Sequence, residues 1–594
     1  MNPTRRILLS AILALSGLMT PLRAAEKPAE AIVWHAWSPE IFAQAKRENK
    51  FILLDLEAVW CHWCHVMAET TYPDPTVVKL MQSRYLAVRV DQDARPDLAN
   101  RYEDYGWPAT VIYAPDGSEL VKRQGYVPPK AMAALLQAVI DDPTPGPSVR
   151  PETAIAAATA TELGEARRAE LLHAWSEGYD DKAGGWGFSH KFLDWDSVEL
   201  ALHRAVTDPR AAQQARDTLR LQRKLIDPVW GGVSQYSAGG DWNELHFEKI
   251  MQMQAENIRI YAQAYARWHD PADLASARAI HGYLRAFLTS PDGAVYTSQD
   301  ADLVPGEHSA DYYALDDAGR RARGIPRIDT HIYARENGWV IVALCQLAAV
   351  TGDDTYRIEA ERAARWVLAH RAVPGGGFSH DAKDVAGPYL GDTLAMGRAF
   401  LALEQLTQER EWLDHATAAA QFIATHFARG TQAGFASSDT TVNAFPAPRV
   451  QFDENVSLVR WGTALAATTG RAEFRVLALT ALRWLLAPGA TDGRGLYVAG
   501  LLLAEEEART DPVHVAIVGR RDDPAARAML AAALRLPDAH KLVELWDRRE
   551  GPAPRGEDIY PELDHTAAFL CANGACSSPI KSEAALTARL AKVK

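Results

Sequence analysis

The hydrophobic rhythm of the chain changes twice. Near its start, Phe51-Ile52-Leu53-Leu54-Asp55-Leu56 is a nearly unbroken apolar run, the mark of a strand buried on both faces. Ahead of it, Ser38-Pro39-Glu40 supplies an N-cap and a first-turn proline for a helix that runs to Lys46-Arg47-Glu48-Asn49. Leu86-Ala87-Val88-Arg89-Val90 and Thr110-Val111-Ile112-Tyr113 predict two further strands, the second closed by the turn Ala114-Pro115-Asp116-Gly117. A helix is expected over 130–140. Strands alternating with helices predict a compact α/β domain over residues 30–142. The proline-rich stretch 143–151 then reads as a stiff, structureless linker.

From residue 152 to about 510 the pattern becomes helical, in long Ala/Leu/Arg/Glu segments broken by short Gly-aromatic interruptions. Six recur: GGWGFSHKF from Gly184, WGGVSQY from Trp230, DGAVYTS from Asp292, GGGFSHD from Gly375, AGFASSD from Ala433 and DGRGLYVAG from Asp492. Their spacing of roughly 50–80 residues fits a helical hairpin or more per repeat. Ile250, Met253, Asn257, Tyr261, Ala264 and Trp268 follow the three/four spacing of one buried helix face. The expectation is a closed ring of helix pairs, an α/α toroid, with its turns gathered at one rim and its inner helices lining a cavity. After residue 511, Val513–Val518 and Lys541–Leu545 predict strands around a helix over 523–534, a small α/β segment that ends in a basic tail at 594.

The 594-residue length expects two or three cores, and 48% hydrophobic with 23% charged residues is a soluble globular composition. A formal charge of −13 argues against nucleic acid or an anionic membrane as partner. No internal apolar stretch is long enough to span a bilayer. Arg5 and Arg6, the apolar segment from Ile7 to Leu15 and the small residues Ala24 and Ala25 read as a signal peptide over 1–25, with some likeness to a twin-arginine export signal; the alternative is an uncleaved membrane anchor, for which the apolar part is short. The expected location is periplasmic or secreted, where paired cysteines can be disulfides.

Five cysteines form a close pair, Cys61 and Cys64, a second pair, Cys571 and Cys576, and a loner, Cys345, in an apolar run. The motif Cys61-His62-Trp63-Cys64-His65 admits three chemistries. Haem attachment fits the pattern, but a buried strand leads straight into the motif. Structural zinc wants four ligands, and no second Cys/His cluster is near in sequence. Redox exchange explains more: between strand and helix, Cys61 lies at a helix N-terminus that stabilises its thiolate, and Cys64 resolves. Cys61 is then the solvent-facing nucleophile, and His62 should make the pair more oxidising. No cofactor and no resident metal are expected. Trp107-Pro108 places a proline just ahead of a strand; it reads either as a cis peptide that faces the cysteines and offers backbone to a substrate or as an ordinary trans turn. Asp55 reads either as a buried acid relaying protons to Cys64 or as a strand residue hydrogen-bonded to backbone. Cys571–Cys576 reads as a local disulfide or as a relay pair.

CHWCHVM at 61–67, Asp91, Arg95-Pro96-Asp97 and Gly106-Trp107-Pro108 resemble a thioredoxin-type domain. With GGWGFSHKF, Trp242, His246-Phe247-Glu248-Lys249, Asp300-Ala301-Asp302, Asn337-Gly338, Tyr389-Leu390, Asp392 and Cys571…Cys576, the chain resembles the family that includes spermatogenesis-associated protein 20. The resemblance implies a thioredoxin-like domain followed by an (α/α)6 toroid of the six-hairpin glycosidase and sugar 2-epimerase kind. The expected partner is the thiol or disulfide of a client protein, with a carbohydrate as a second candidate in the toroid. Its candidate binding residues are His246, Glu248, Lys249, Asp300, Asp302, Asn337, Asp392 and Glu454, with Trp186, Trp195 and Trp242 as stacking surfaces. The competing reading is that each polar group caps a helix or bridges its neighbours. Ser234-Gln235 and Gln252-Met253-Gln254 stand where relatives carry His-Arg and Tyr-Asp-Gln, which removes a histidine, an arginine and a carboxylate from one rim.

Overall fold

The computed structural model describes residues 31–593, apart from 104–105, 150–154, 385, 431, 441–446, 538, 554, 556–559 and 573–574. The expected signal segment 1–25 therefore lies outside the described residues.

The N-terminal domain is a five-stranded sheet of β1 (Trp34–His35), β2 (Phe51–Glu57), β3 (Tyr85–Asp91), β4 (Ala109–Tyr113) and β5 (Glu119–Gln124). Its order is β1-β3-β2-β4-β5; β1 and β2 run parallel to β3, and β4 is antiparallel to both β2 and β5. β2 sits at the centre, so both of its faces are covered and its sequence reads as continuously apolar. Ile52, Leu54 and Leu56 face one core with Ile41 and Tyr102, while Phe51 and Leu53 face another with Met67 and Met132. Alternation puts Asp55 on the second face, with the helix His62–Thr70. The polar strand β5 and the helices Pro75–Arg84 and Pro96–Tyr102 were not expected from the apolar pattern. The stretch 143–149 has no helix or strand but is tied to β5: Gly146 N–H donates to Leu120 O and Lys122 N–H to Ser148 Oγ.

Six inner helices close a ring: Trp195–Arg204, Met251–Trp268, Ala334–Thr351, Leu390–Thr407, Phe452–Thr469 and Ala499–Arg509, the last packing back on the first. Each is backed by an outer helix: Pro209–Gln222, Pro271–Phe287, Asp354–His370, Arg410–His426, Ala472–Leu485 and Glu165–Glu177. A repeated clamp fixes the Gly-aromatic turns. The fourth residue of four inner helices reaches back to the backbone of a turn: Gln254 to Val233, Asn337 to Val295, Thr393 to Phe378 and Asn455 to Phe435. Gly338 lets two inner helices approach; a Cβ there would lie 2.6 Å from the Ala395 carbonyl carbon.

A four-stranded C-terminal sheet has Lys541–Trp546 parallel to Val513–Val518, with Ala567–Ala572 antiparallel on its other side and Ala575–Cys576 at the edge. It packs at the C-terminal ends of the inner helices: Gln408 bonds the backbone of Val543 and Leu545, and Arg267 the carbonyl of Pro537. The N-terminal domain sits at the opposite end, where Asn100 meets Glu454 and the carbonyl of Asp93 accepts from His380. The two α/β units thus cap opposite mouths of the ring.

Candidate functional site

Cys61 N-caps the helix His62–Thr70, and the Cys64 N–H donates to its sulfur at 3.1 Å. The two cysteines are joined as a disulfide with a Cα–Cα distance of 5.2 Å. This is the strand-to-helix placement the motif predicts, and the helix terminus favours negative charge on Cys61. The expectation of a solvent-facing sulfur is overturned: Cys61 and Cys64 are each only 3% exposed. They cluster with Ala58 and Trp60, and Trp107 and Ile250 pack against the group. Ile250 belongs to the ring, which supplies the cover that sequence reasoning could not foresee.

The cover is fixed by a second ring segment. Ala301 N–H donates to Trp60 O, and Asp302 accepts from His62 Nδ1 at 2.7 Å and from His65 Nδ1 at 3.1 Å. Burial would raise Asp302, but the bonds from His62 and His65 outweigh it and hold the carboxyl at about 2. Burial would lower His65; Asp302, Asp300 and Glu57 raise it instead. Burial pushes neighbouring Asp300 up to about 7. The ligand atoms of His65, Asp300 and Asp302 lie within 4.8 Å of one another, but both Asp302 oxygens are taken by the two imidazoles.

The Trp107–Pro108 peptide is cis, as expected, and Trp107 packs on the cysteine cluster. The Pro108 carbonyl accepts from Gly125 N–H at 2.9 Å. Asp55 is buried and accepts from Arg89 Nε at 3.0 Å; burial raises its pKa against the pull of Arg89 and Tyr72. Its partners are thus side chains rather than the strand-end backbone of the alternative reading.

The ring encloses a cavity of about 510 Å³ roofed by Trp60, Asp93, Asn100 and Trp107 of the N-terminal domain. Trp195, Trp339 and Tyr497 line it with Asp196, Glu256, Arg259, Arg398, Glu454 and Arg460. Of the toroid residues expected at the cavity, it takes in Glu454 and Trp195. Trp186 and Trp242 are core residues instead: Trp186 Nε1–H donates to Trp175 O and Trp242 Nε1–H to Ala183 O. Asn337 is a turn clamp. His246 stacks on Tyr236 at 4.1 Å, and buried Lys249 lies 3.5 Å from Asp227 beneath Tyr313, its pKa lowered to about 8 by burial. Glu248 is buried beside His246 at 3.8 Å, so none of these three lines the cavity. Asp300 and Asp302 serve the cysteine cover. Asp392 accepts from His380 Nδ1 at 2.9 Å, while His380 Nε2 donates to Asp93 O at 2.7 Å. Both ring nitrogens of His380 face acceptors, which favours the imidazolium; burial opposes it and Asp392 outweighs that, raising the pKa.

Sequence reasoning missed the charged floor. Glu199 accepts from Arg259 and Arg460, Arg259 donates to Glu256, and Arg460 to Glu507. The available signal was a charged residue inside apolar helical runs, as in Ala395-Met396-Gly397-Arg398-Ala399-Phe400.

The molecule is thus a thioredoxin-like CxxC domain seated on an (α/α)6 toroid with a small C-terminal α/β cap. The chain matches, over residues 22–141, the thioredoxin-like family described as "Protein of unknown function, DUF255". It is 28% identical to the Mus musculus spermatogenesis-associated protein 20 over 308 residues, 46% of this chain and 39% of that protein. The match therefore spans about two fifths of that relative's length. Over 80 residues, 13% of the chain and 14% of its counterpart, it is 34% identical to thiol:disulfide interchange protein DsbD 2 of Pseudomonas aeruginosa. Cellobiose 2-epimerase from Bacillus thermoamylovorans aligns with 57% of this chain and 98% of its own at 11% identity, with a TM-score of 0.43.

Proposed function

We propose that the protein is an exported thiol–disulfide oxidoreductase whose toroid binds the substrate or partner. The observation that carries this reading is the Cys61–Cys64 disulfide at a helix N-terminus, with the Cys64 N–H directed at the Cys61 sulfur. Cys61 acts as nucleophile and Cys64 as resolving thiol. Asp55, buried on the face of the sheet that carries their helix, is the proton relay. Pro108, just ahead of β4, is the substrate-facing residue. The Arg5-to-Ala25 pattern supports a periplasmic or secreted location; among the described residues no helix is long and apolar enough to cross a membrane.

The test is the redox equilibrium of the pair against glutathione, together with a Cys64→Ser variant. Cys64→Ser is expected to accumulate a mixed disulfide on Cys61, identified by mass spectrometry. Failure of the pair to exchange with any thiol, alongside turnover of a sugar, would transfer the activity to the toroid.

The lining of the cavity favours that second reading. Burial raises Asp196 to about 7 and Glu454 to about 8, beside the aromatic walls Trp195, Trp339 and Tyr497. Two such carboxyls can serve as acid and base on a carbohydrate, epimerase- or glycosidase-like, with the CxxC domain as redox sensor or scaffold. A purely binding role for glycan or polypeptide uses the same cavity; it predicts affinity without turnover, unaffected by Glu454→Gln beyond binding.

A further inference from the structure

We propose that the substrate of Cys61–Cys64 reaches it through the ring cavity and is a small zwitterionic, peptide-type thiol or disulfide whose carboxylate is held by Arg398. This rests on the thiol–disulfide reading above and names its substrate class.

The first observation is where the sulfurs face. Trp60, Trp107 and Ile250 surround the cysteine pair and also line the cavity, so one layer of side chains separates sulfur from ligand space. The ring segment at Ala301 and Asp302, which is not part of the cavity lining, holds Trp60, His62 and His65. A folded protein docking from outside meets that cover, whereas a ligand in the cavity reaches Cys61 once Trp107 or Ile250 turns aside. A cavity of about 510 Å³ suits a small molecule.

The second observation is an arginine with no direct partner among the described residues. Among the described residues Arg398 makes no hydrogen bond or ion pair, whereas its neighbours Arg259 and Arg460 are engaged by Glu199, Glu256 and Glu507. Burial lowers its pKa; the charges of Glu256 and Glu199 oppose that and those of Arg259 and Arg460 add to it, so a carboxylate in direct contact with the guanidinium is favoured there. The cavity also offers unused acceptors: Asp196 has no partner among the described residues, and Glu454 Oε2 is buried without one. These take the ammonium and amide N–H groups of a peptide.

The third is reach. Trp60 Nε1–H donates to Asp93, whose carbonyl meets His380, which in turn binds Asp392 in the first turn of the helix Leu390–Thr407. Arg398 lies six residues further along that helix, roughly 9 Å down the cavity wall. An extended tripeptide arm spans about 10 Å.

In the exchange, reduced Cys61 attacks one sulfur of the disulfide RSSR, forming Cys61–S–S–R and releasing one thiolate. Cys64 then attacks the Cys61 sulfur, restoring the protein disulfide and releasing the second. Two electrons pass from the protein dithiol to RSSR, and the two cysteine protons end on two RSH. The oxidised pair runs the reverse with two RSH.

The test uses the full chain, reduced with dithiothreitol and freed of it, and follows oxidation of the pair by three disulfides. These are glutathione disulfide, uncharged bis(hydroxyethyl) disulfide and a folded protein disulfide. Glutathione disulfide is expected to react fastest, and in Arg398→Gln its rate relative to the uncharged disulfide should fall roughly tenfold, the loss of one charge-assisted contact. S-methylglutathione, which has the charges but no free thiol, should slow the wild-type reaction. Equal rates for the two small disulfides, an unchanged ratio in Arg398→Gln, no competition, or a faster reaction with the folded protein would each overturn the proposal while leaving exchange chemistry intact. Failure of all three disulfides to oxidise the pair would instead remove the reading on which it rests.

Discussion

Asp302 shows how a single carboxylate from one domain sets the state of another. Its bonds to His62 and His65 depress its own pKa to about 2, against burial, and raise that of His65. The facing charges are Asp300 and Glu57, with His308 5.8 Å from His62. A depressed acid contributes stability above its unfolded value of 3.8, lost as pH falls through about 2. A raised histidine contributes below its unfolded value of 6.5, lost as pH rises through its folded value. The contact is thus at full strength between roughly pH 4 and 6.5. Asp302→Asn should lower Tm most within that window and least outside it; a difference independent of pH would refute the assignment. The same variant should loosen the cover and speed reduction of Cys61–Cys64 by dithiothreitol. At this scale the motif itself was legible, because strand, cysteine cap and helix follow each other in sequence. The burial of Cys61 was not, because Ile250 and Asp302 arrive from about 190 and 240 residues away.

At the scale of elements, the clamps turn the repeated Gly-aromatic signals into a ring. Asn337 accepts from Val295 N–H at 2.9 Å and donates to its carbonyl at 3.3 Å; Asn455 does the same for Phe435 at 2.9 and 3.0 Å. Removing either amide leaves buried backbone groups unpaired. Asn337→Ala and Asn455→Ala should each cost about 1–3 kcal/mol in urea unfolding. A change below about 0.5 kcal/mol would show that water or a neighbour replaces the clamp. Local pattern sufficed for the long helices and the central strands, since burial writes itself into apolar periodicity. It failed for β5, whose Glu119, Lys122, Arg123 and Gln124 give an edge strand no apolar signature. It also misassigned Trp186 and Trp242, because an aromatic beside glycines reads alike in a core and in a binding wall.

Across the whole molecule, the thioredoxin-like domain and the C-terminal sheet close opposite ends of helices such as Phe452–Thr469, an 18-residue span of roughly 27 Å. Cys571–Cys576 pairs within a two-strand ladder of the C-terminal cap, at the mouth of the ring opposite the thioredoxin-like domain, which fits a local disulfide. Replacing both with serine should leave the equilibrium of Cys61–Cys64 with glutathione unchanged; a shift would require a relay across the ring. What the sequence determined by itself was every feature written in neighbouring residues: the buried strand, the helix-capping cysteine, the proline ahead of β4 and the cadence of the hairpins. Only the tertiary structure decided which face of the redox domain meets the ring, which carboxylates lose water, and that Arg398 has no hydrogen bond or ion pair among the described residues. Those depend on desolvation and on charges brought together from remote parts of the chain, and neither quantity exists until the ring has closed.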